Sequence, residues 1–336
     1  CVELIIDPLL IFSTYSGSTA DNWGSTATPG EHGTLYSAGV TQQTLGGFFP
    51  ATVGAFQTAN RGSFDIGIIK YDSAGTKFLY ATYLGGINND SPESLVVDKT
   101  SGDLIVLGIS SSPDFPTSAN AFDKTFNLGT TIFNRVLNTD DEWDIVITRL
   151  SQNGGQLVGS TFLGGSGNEG LNHPKQSGGP LVVNYGDEMR GDVITDETGH
   201  VYISSVTSSD NFPIVDGFDD TFNGATDGLV AKLAPDLSSI VWSSYLGGSG
   251  FDAAYSIKFD KDKNIVLAGG TTSVDFPATA GSYQSVFNGI VDGWIARVAS
   301  DGSAIMNATF TGTISFDQVY FIDLNANGNV FCYGQT

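Results

Sequence analysis

Three glycines, Gly165, Gly167 and Gly170, have a spacing that could do chemistry. They lie in "GSGNEG", directly after the strand formers "STFL", and match the Gly-x-Gly-x-x-Gly of a dinucleotide-binding turn. That turn needs a helix immediately afterwards, because the helix N-terminus must face the pyrophosphate. The next residues, "LNHPKQSGGPLVVNYG", contain two prolines and three more glycines, which do not support an amphipathic helix. The pattern therefore argues against a dinucleotide site.

Acidic residues recur in short turns, where alternating side-chain oxygens could surround a hard cation. "VDKTSGD", "TDETGH", "FDKDKN" and "DLNANGN" resemble the Asp-x-Asp-x-Asn spacing of calcium loops. The candidate Ca²⁺ ligands are Asp98, Asp196, Asp260, Asp262 and Asp323. No turn has the complete loop with its terminal Glu, so each carboxylate could instead accept hydrogen bonds from its own turn. No motif requires a cofactor, and Ca²⁺ is the candidate.

Other residues are candidates for contact with a protein or glycan partner at surface loops. Asp140, Asp141 and Glu142 form an acidic cluster in "NTDDEW", and His173 lies in the loop "LNHPKQ". Trp23 lies near a loop of the first repeat and could offer its ring as a platform for a sugar.

Catalytic motifs are missing from the sequence. It contains no His-Glu-x-x-His, no Gly-x-Ser-x-Gly and no recognisable Cys/His pair. Two carboxylates from distant segments could still meet and hydrolyse a glycoside. The sequence therefore favours a non-enzymatic binding or scaffold domain, with a carbohydrate-active enzyme as the alternative.

An aromatic residue followed by glycine repeats along the chain and sets the register of the elements. The aromatic anchors are Tyr15, Tyr83, Phe162, Tyr245 and Phe310, with spacings of 68, 79, 83 and 65 residues. Phe-Pro steps recur at Phe49, Phe115, Phe212 and Phe276. A strand that begins with Asp and ends in a cation recurs before each later anchor, ending at Lys70, Arg149, Lys232 and Arg297. Because basic residues are scarce, this fixed placement predicts one structural ion pair or hydrogen bond in each repeat.

Each repeat contains four short segments rich in Val, Ile, Tyr and Phe, which predict strands. In the fourth repeat these are residues 253–260, 264–272, 292–299 and 304–312. The pattern predicts an all-β fold, a β-propeller of four-stranded antiparallel blades with about 65–83 residues per repeat. We expect one domain over residues 1–336, with units at 20–86, 87–165, 166–248, 249–312 and 313–336 and insertions near 127–142 and 168–191. That gives at least four full blades and a shared or truncated one.

The joint pattern of "YLGG", "DKDKNIVLAGGTTSVDFPATAGSYQ" and "DGWIARV" resembles the SBBP repeat, a β-propeller repeat of secreted bacterial proteins. The resemblance covers nearly the whole chain and implies an extracellular or cell-surface location, often within a large multidomain protein or an outer-membrane-associated complex. In Bacteroidota such proteins resemble cargo of the type IX secretion system and surface adhesins associated with gliding motility. The resemblance brings no catalytic motif.

The two ends of the chain leave two interpretations open. "VELIID" and "LLIFSTYSG" match the last two strands of a unit, so residues 1–19 could complete the unit at 313–336 and close a five-bladed ring. Cys1 and Cys332 would then lie in one blade and could pair, although Cys1 is also a candidate for lipidation. Alternatively, the chain is a fragment of a longer propeller.

The composition narrows the class of partner. With 14 Lys and Arg against 36 Asp and Glu, the formal charge is −22, which disfavours nucleic acid and anionic membrane surfaces. No apolar run reaches the ~18 residues of a membrane span, so we expect no direct membrane insertion. An acidic, lysine-poor surface suits an extracellular protein.

Overall fold

Four sheets of four antiparallel strands form most of the structure. A computed structural model describes residues 12–42, 47–134, 137–172, 179–184 and 187–336. The first sheet, or blade, contains β1 (Asp21–Pro29), β2 (Leu35–Gln42), β3 (Phe64–Tyr71) and β4 (Phe78–Leu84) in that spatial order. The second contains β5 (Asp90–Val97), β6 (Leu104–Ser110), β9 (Asp144–Leu150) and β10 (Leu157–Leu163), with the hairpin of β7 (Ile132–Asn134) and β8 (Thr139–Asp141) inserted between β6 and β9.

The same order recurs in the second half of the chain. The third blade contains β11 (Asp192–Thr195), β12 (Val201–Thr207), β13 (Asp227–Leu233) and β14 (Ile240–Leu246). The fourth contains β15 (Asp252–Phe259), β16 (Ile265–Thr271), β17 (Asp292–Val298) and β18 (Ile305–Thr311). A fifth sheet has two strands among the described residues, β19 (Gln318–Leu324) and β20 (Val330–Gln335). The predicted all-β propeller of four-stranded antiparallel blades is confirmed.

The repeated aromatic residues pack inside each blade. The Phe of every Phe-Pro step is buried and contacts the aromatic anchor of the fourth strand in its own blade. The ring centroids are 5.1 Å apart for Phe49 and Tyr83 and 5.7 Å apart for Phe276 and Phe310. Such pairs stabilise the fold beyond the area they bury. The sequence repeat thus records a repeated packing contact.

The hydrophobic core lies mainly between neighbouring blades. One buried cluster joins Ile66 and Ile68 of the first blade to Leu95 and Val106 of the second. Equivalent clusters join the second blade to the third and the third to the fourth. Each blade therefore depends on its neighbour to bury a face, as expected for stacked repeats.

The phrase "YLGGSG" ends one blade and leads into the next. β14 ends at Leu246 and β15 begins at Asp252. A Cβ atom at Gly247 would lie 2.6 Å from Asp227 Oδ1, and one at Gly248 would lie 2.6 Å from Asp275 Oδ1. Glycine is required here because the carboxylates of Asp227, at the start of β13, and of Asp275, between β16 and β17, occupy the space that a side chain would fill.

The described part of the opening segment differs from the strands that would complete a fifth blade. Residues 12–19 form no strand, and Tyr15 is 93% exposed, unlike the buried anchors Tyr83 and Phe162. Phe12 instead packs against Tyr71 of the first blade, with ring centroids 6.5 Å apart. This contact draws the segment onto the first blade. Residues 1–11, with Cys1, lie outside the described residues, and Cys332 is exposed on β20.

Candidate functional site

A cavity of about 490 Å³ lies where the first strands of the four blades and of the fifth sheet meet, and we call it the central cavity. Its wall includes side chains from β1, β5, β15 and β19, and from the start of β11 with the residues just before it. The residues used below are Trp23, Glu93, Arg190, Asp192, Lys258 and Phe321. Concave sites with several polar groups among apolar ones are the usual place for a ligand.

Two aromatic side chains give the central cavity exposed apolar surface. Trp23 on β1 is 46% exposed, and its ring centroid lies 5.8 Å from that of Phe64. Phe321 on β19 is 56% exposed and also lines the cavity. The predicted partner residue Trp23 thus lies on the wall of the central cavity.

Asp192 is the best-connected polar group of the cavity. Its Oδ1 accepts a hydrogen bond from Ser94 Oγ at 2.9 Å. Its Oδ2 accepts from Lys258 Nζ at 2.8 Å and from the Ile257 N–H at 3.2 Å. The carboxylate therefore connects β5 of the second blade, β11 of the third and β15 of the fourth.

Arg190 places a second charge on the wall. Its guanidinium pairs with Asp187 at 3.1 Å and lies over the ring of Tyr320, 4.0 Å from the centroid. The ion pair and the cation–π contact fix the orientation of the guanidinium plane.

Glu93 is the unpartnered charged group of the wall. Both carboxylate oxygens are shielded from solvent and have no hydrogen-bond partner. Burial raises the pKa of Glu93 to about 8 because the charged form is poorly solvated there. Sequence reasoning missed Glu93, Arg190, Asp192 and Lys258. These four residues lie in or next to the first strand of a repeat. Because that strand faces the axis of a propeller, their position in the repeat could have indicated them.

The predicted calcium ligands lie at the hairpins between the first and second strands of separate blades. Asp98 pairs with Arg149 at 2.9 Å, Asp196 with Lys232 at 3.7 Å, and Asp260 with Arg297. Together with the contact between Lys70 and Glu31 in the first blade, these pairs confirm the predicted structural role of the repeated cations.

The hairpin carboxylates also hold their own turns. Asp260 Oδ1 accepts hydrogen bonds from the N–H groups of Asp262 and Asn264 at 2.8 and 2.9 Å. Burial raises the pKa of Asp260, but hydrogen bonds from Asn264 and Asp262 outweigh it, so the pKa lies below its ordinary value. Asp262 also contacts Arg297 at 3.4 Å. In the last hairpin Asn325 takes the capping role, while Asp323 is exposed on β19.

The structure does not bring these acidic turns together. Within the described ranges, no group of three or more His, Cys, Asp or Glu residues is placed to share a metal ion. The possibility of Ca²⁺ at the turns stays a prediction.

The acidic cluster lies on the inserted hairpin of the second blade. Asp140 and Asp141 belong to β8, and Asp141 Oδ2 accepts a hydrogen bond from Asn89 Nδ2 at 2.6 Å. Glu142 Oε1 accepts from Thr131 Oγ1 at 3.3 Å. Asp140 is exposed, whereas Asp141 and Glu142 are half-buried. His173 lies outside the described residues.

Comparisons with known proteins give likenesses of fold. No family model matches the chain, and no curated protein matches it. A solved protein of unknown function from Dyadobacter fermentans is 11% identical, with a TM-score of 0.46 over 94% of this chain and 75% of that one. The WD40 β-propeller domain of Doa1 is 10% identical, with a TM-score of 0.31 over 95% and 92% of the two chains. The NanB sialidase from Streptococcus pneumoniae is 10% identical, with a TM-score of 0.34 over 97% and 67%. At these values the likenesses do not bear on activity.

The described part of the chain contains no helix that is both long and apolar enough to cross a membrane.

Proposed function

We propose that this protein is a non-enzymatic β-propeller binding module of a secreted or cell-surface protein, and that its central cavity binds a glycan. The observation that carries the proposal is the half-exposed Trp23 on the wall of a cavity that also presents Arg190, Asp192 and Lys258. A sugar ring has an apolar face that can stack on an indole and hydroxyls that can bond to charged groups. The secreted location rests on the repeat pattern and the acidic composition.

The test is binding of the purified chain to an array of bacterial and host oligosaccharides, followed by titration calorimetry with the best ligand. We expect Trp23→Ala to weaken binding at least about 10-fold, which corresponds to 1.4 kcal/mol. Tyr283→Ala removes an exposed aromatic ring outside the central cavity and serves as the control. Equal affinity of wild type and Trp23→Ala for every glycan bound would contradict the proposal.

The carbohydrate-active alternative rests on Glu93 and Asp192, two carboxylates on one wall. Two carboxyl groups in one cavity, one of them with a raised pKa, are the groups that a glycoside hydrolase uses. Binding is favoured over hydrolysis because both oxygens of Asp192 accept hydrogen bonds from the protein and both oxygens of Glu93 are shielded from solvent. Release of reducing sugar from bound oligosaccharides by wild type, but not by Glu93→Gln, would establish the alternative.

A further inference from the structure

A pair of acidic side chains recurs at each described junction between blades. One member is an Asp at the start of the third strand of a blade, and the other lies at the start of the first strand of the next blade or in the connection that leads to it. The pairs are Asp65 with Asp90, Asp144 with Glu169, Asp227 with Asp252, and Asp292 with Asp317. All eight side chains are buried.

The backbone fixes the position of the pair between the second and third blades. The N–H of Glu169 donates to the carbonyl of Trp143 at 2.9 Å. The N–H of Trp143 donates to Asn168 Oδ1, also at 2.9 Å. Glu169 also bridges to Thr207 of β12. Asp144 and Glu169 are therefore held next to each other by contacts that do not involve their carboxyl groups.

One oxygen of each carboxyl group has hydrogen-bond donors. Asp144 Oδ2 accepts from the Asn127 N–H at 2.7 Å. Glu169 Oε1 accepts from Thr207 Oγ1 at 2.8 Å and from Ser209 Oγ. The N–H of Gly165 also approaches the Glu169 carboxyl.

The two remaining oxygens converge without a partner. Asp144 Oδ1 and Glu169 Oε2 are buried and accept no hydrogen bond. A Cβ atom built on Gly164 would lie 2.7 Å from each of them, so both border the same small volume. An unpartnered buried carboxylate oxygen is costly, and two that face each other repel.

Among the described residues, no Lys, Arg or His lies within ion-pair distance of Asp144 or Glu169. The titratable groups that face them are Asp123, which is acidic, and Tyr245. Burial first, and then the neighbouring carboxylate, raises the pKa of Asp144, and burial raises the pKa of Glu169.

The surrounding groups distinguish a proton from a metal ion. The neighbours of the two carboxyl groups are N–H and O–H donors, which bind Asp144 Oδ2 and Glu169 Oε1. A calcium ion needs about six to eight oxygen ligands, and the pair offers two free ones. A single proton needs only the two facing oxygens.

We propose that Asp144 and Glu169 share one proton at neutral pH, in a hydrogen bond between Oδ1 and Oε2 that fastens the second blade to the third. Removal of that proton at alkaline pH leaves two facing charges and loosens the junction. The junction is thus a pH-sensitive contact built into the fold, independent of any ligand in the central cavity.

The sign of the pH dependence follows from linkage. In the unfolded chain both carboxyl groups titrate near pH 4. In the folded chain their pKa values are raised, so the folded state binds more protons than the unfolded state in the window above pH 4. Stability from this pair is therefore complete below pH 4 and is lost as the pH rises through the folded pKa.

The test uses Glu169→Gln, with unfolding midpoints measured from pH 5 to pH 9 in EDTA at constant ionic strength. A glutamine can keep its oxygen towards Thr207 and Ser209 and donate its N–H to Asp144 Oδ1, which replaces the shared proton permanently. We expect the midpoint of wild type to fall by at least about 3 °C more than that of Glu169→Gln over this range. Asp323→Asn removes one exposed carboxylate and should retain the wild-type slope.

Three results would overturn the proposal. The first is a Glu169→Gln slope equal to that of wild type. The second is a wild-type midpoint at pH 8 that millimolar Ca²⁺ raises and EDTA lowers, with Glu169→Gln insensitive, since a metal ion would then occupy the site. The third covers a variant that does not fold: the infrared C=O stretch of a protonated, buried carboxylic acid must appear in wild type at neutral pH, and its absence would exclude the shared proton.

Discussion

Arg149 shows how this acidic chain uses its few cations. The side chain is buried at the end of β9 and pairs with Asp98, which is buried in the hairpin between β5 and β6. It also donates to the carbonyl of Gly199 in the next blade at 2.7 Å. One guanidinium thus holds a hairpin closed and contacts the neighbouring blade.

Arg149→Met should destabilise the protein by about 3 kcal/mol, because Asp98 would remain buried without its counter-ion. Denaturant unfolding followed by intrinsic fluorescence measures the difference. Lys263→Met removes an exposed partner of Glu197, and we expect no change in its midpoint because surface pairs contribute little. If both variants unfolded at the same denaturant concentration, the buried ion pair would stabilise the protein no more than the exposed one.

At the scale of the element, a β-bulge in the first strand is matched by a glycine in the second. The register shifts at Ser25 of β1, and the Trp23 carbonyl then lies where a Cβ atom of Gly39 would be. The same combination occurs for Gly108 opposite β5 and Gly269 opposite β15. In the third blade β11 pairs with β12 without a register shift. There β12 has Ser205 at the position that is glycine in the other three blades.

Gly39→Ala should therefore destabilise the first blade by about 1–3 kcal/mol, because the methyl group would overlap backbone that cannot move away. Gly24, the partner of Gly39 across the two strands, has nothing within 4 Å of a Cβ atom. Gly24→Ala should be neutral or slightly stabilising. Thermal unfolding of Gly39→Ala and Gly24→Ala tests this difference. If both variants lowered the unfolding midpoint equally, strand propensity and not steric overlap would explain the effect.

At the scale of the whole molecule, Asp192 ties three blades together at the axis. Its carboxylate contacts Ser94 of the second blade and Lys258 of the fourth, while its own strand belongs to the third. The three largest hydrophobic clusters each join two neighbouring blades. The Asp192 contacts are therefore a separate source of cohesion at the inner end of the blades.

Asp192→Ala should cost about 2 kcal/mol, since it leaves Lys258, Ser94 and the Ile257 N–H without their acceptor. Hydrogen exchange should rise in β5, β11 and β15 together. Asp262→Ala, at an exposed hairpin, is the control and should change exchange only locally. Increased exchange confined to β11 would mean that Asp192 stabilises its own strand alone.

Glycan binding at the central cavity and the shared proton at the junction between the second and third blades depend on different residues. Trp23→Ala should therefore weaken glycan binding without changing the pH dependence of the unfolding midpoint. Glu169→Gln should change that pH dependence and leave glycan binding intact.

The strands, the blade repeat and the hairpin ion pairs were predictable from the sequence because they depend on local signals. The aromatic anchor, the Phe-Pro step and the Asp-to-cation strand recur within each unit, and their packing partners lie in the same unit. The two interpretations of the acidic turns could not be separated from the sequence, and the hairpin geometry supplied what each carboxylate contacts.

The central cavity and the pairing of Asp144 with Glu169 were decided only by the tertiary structure. Ser94 and Asp192 lie 98 residues apart in the chain yet share a hydrogen bond at 2.9 Å. Glu93 lies next to Ser94 on β5. Nothing in the sequence around it indicates that its carboxylate has no hydrogen-bond partner. A periodic sequence fixes what each blade contains, whereas burial and charge pairing between blades depend on distances that only the packing of one blade on the next defines.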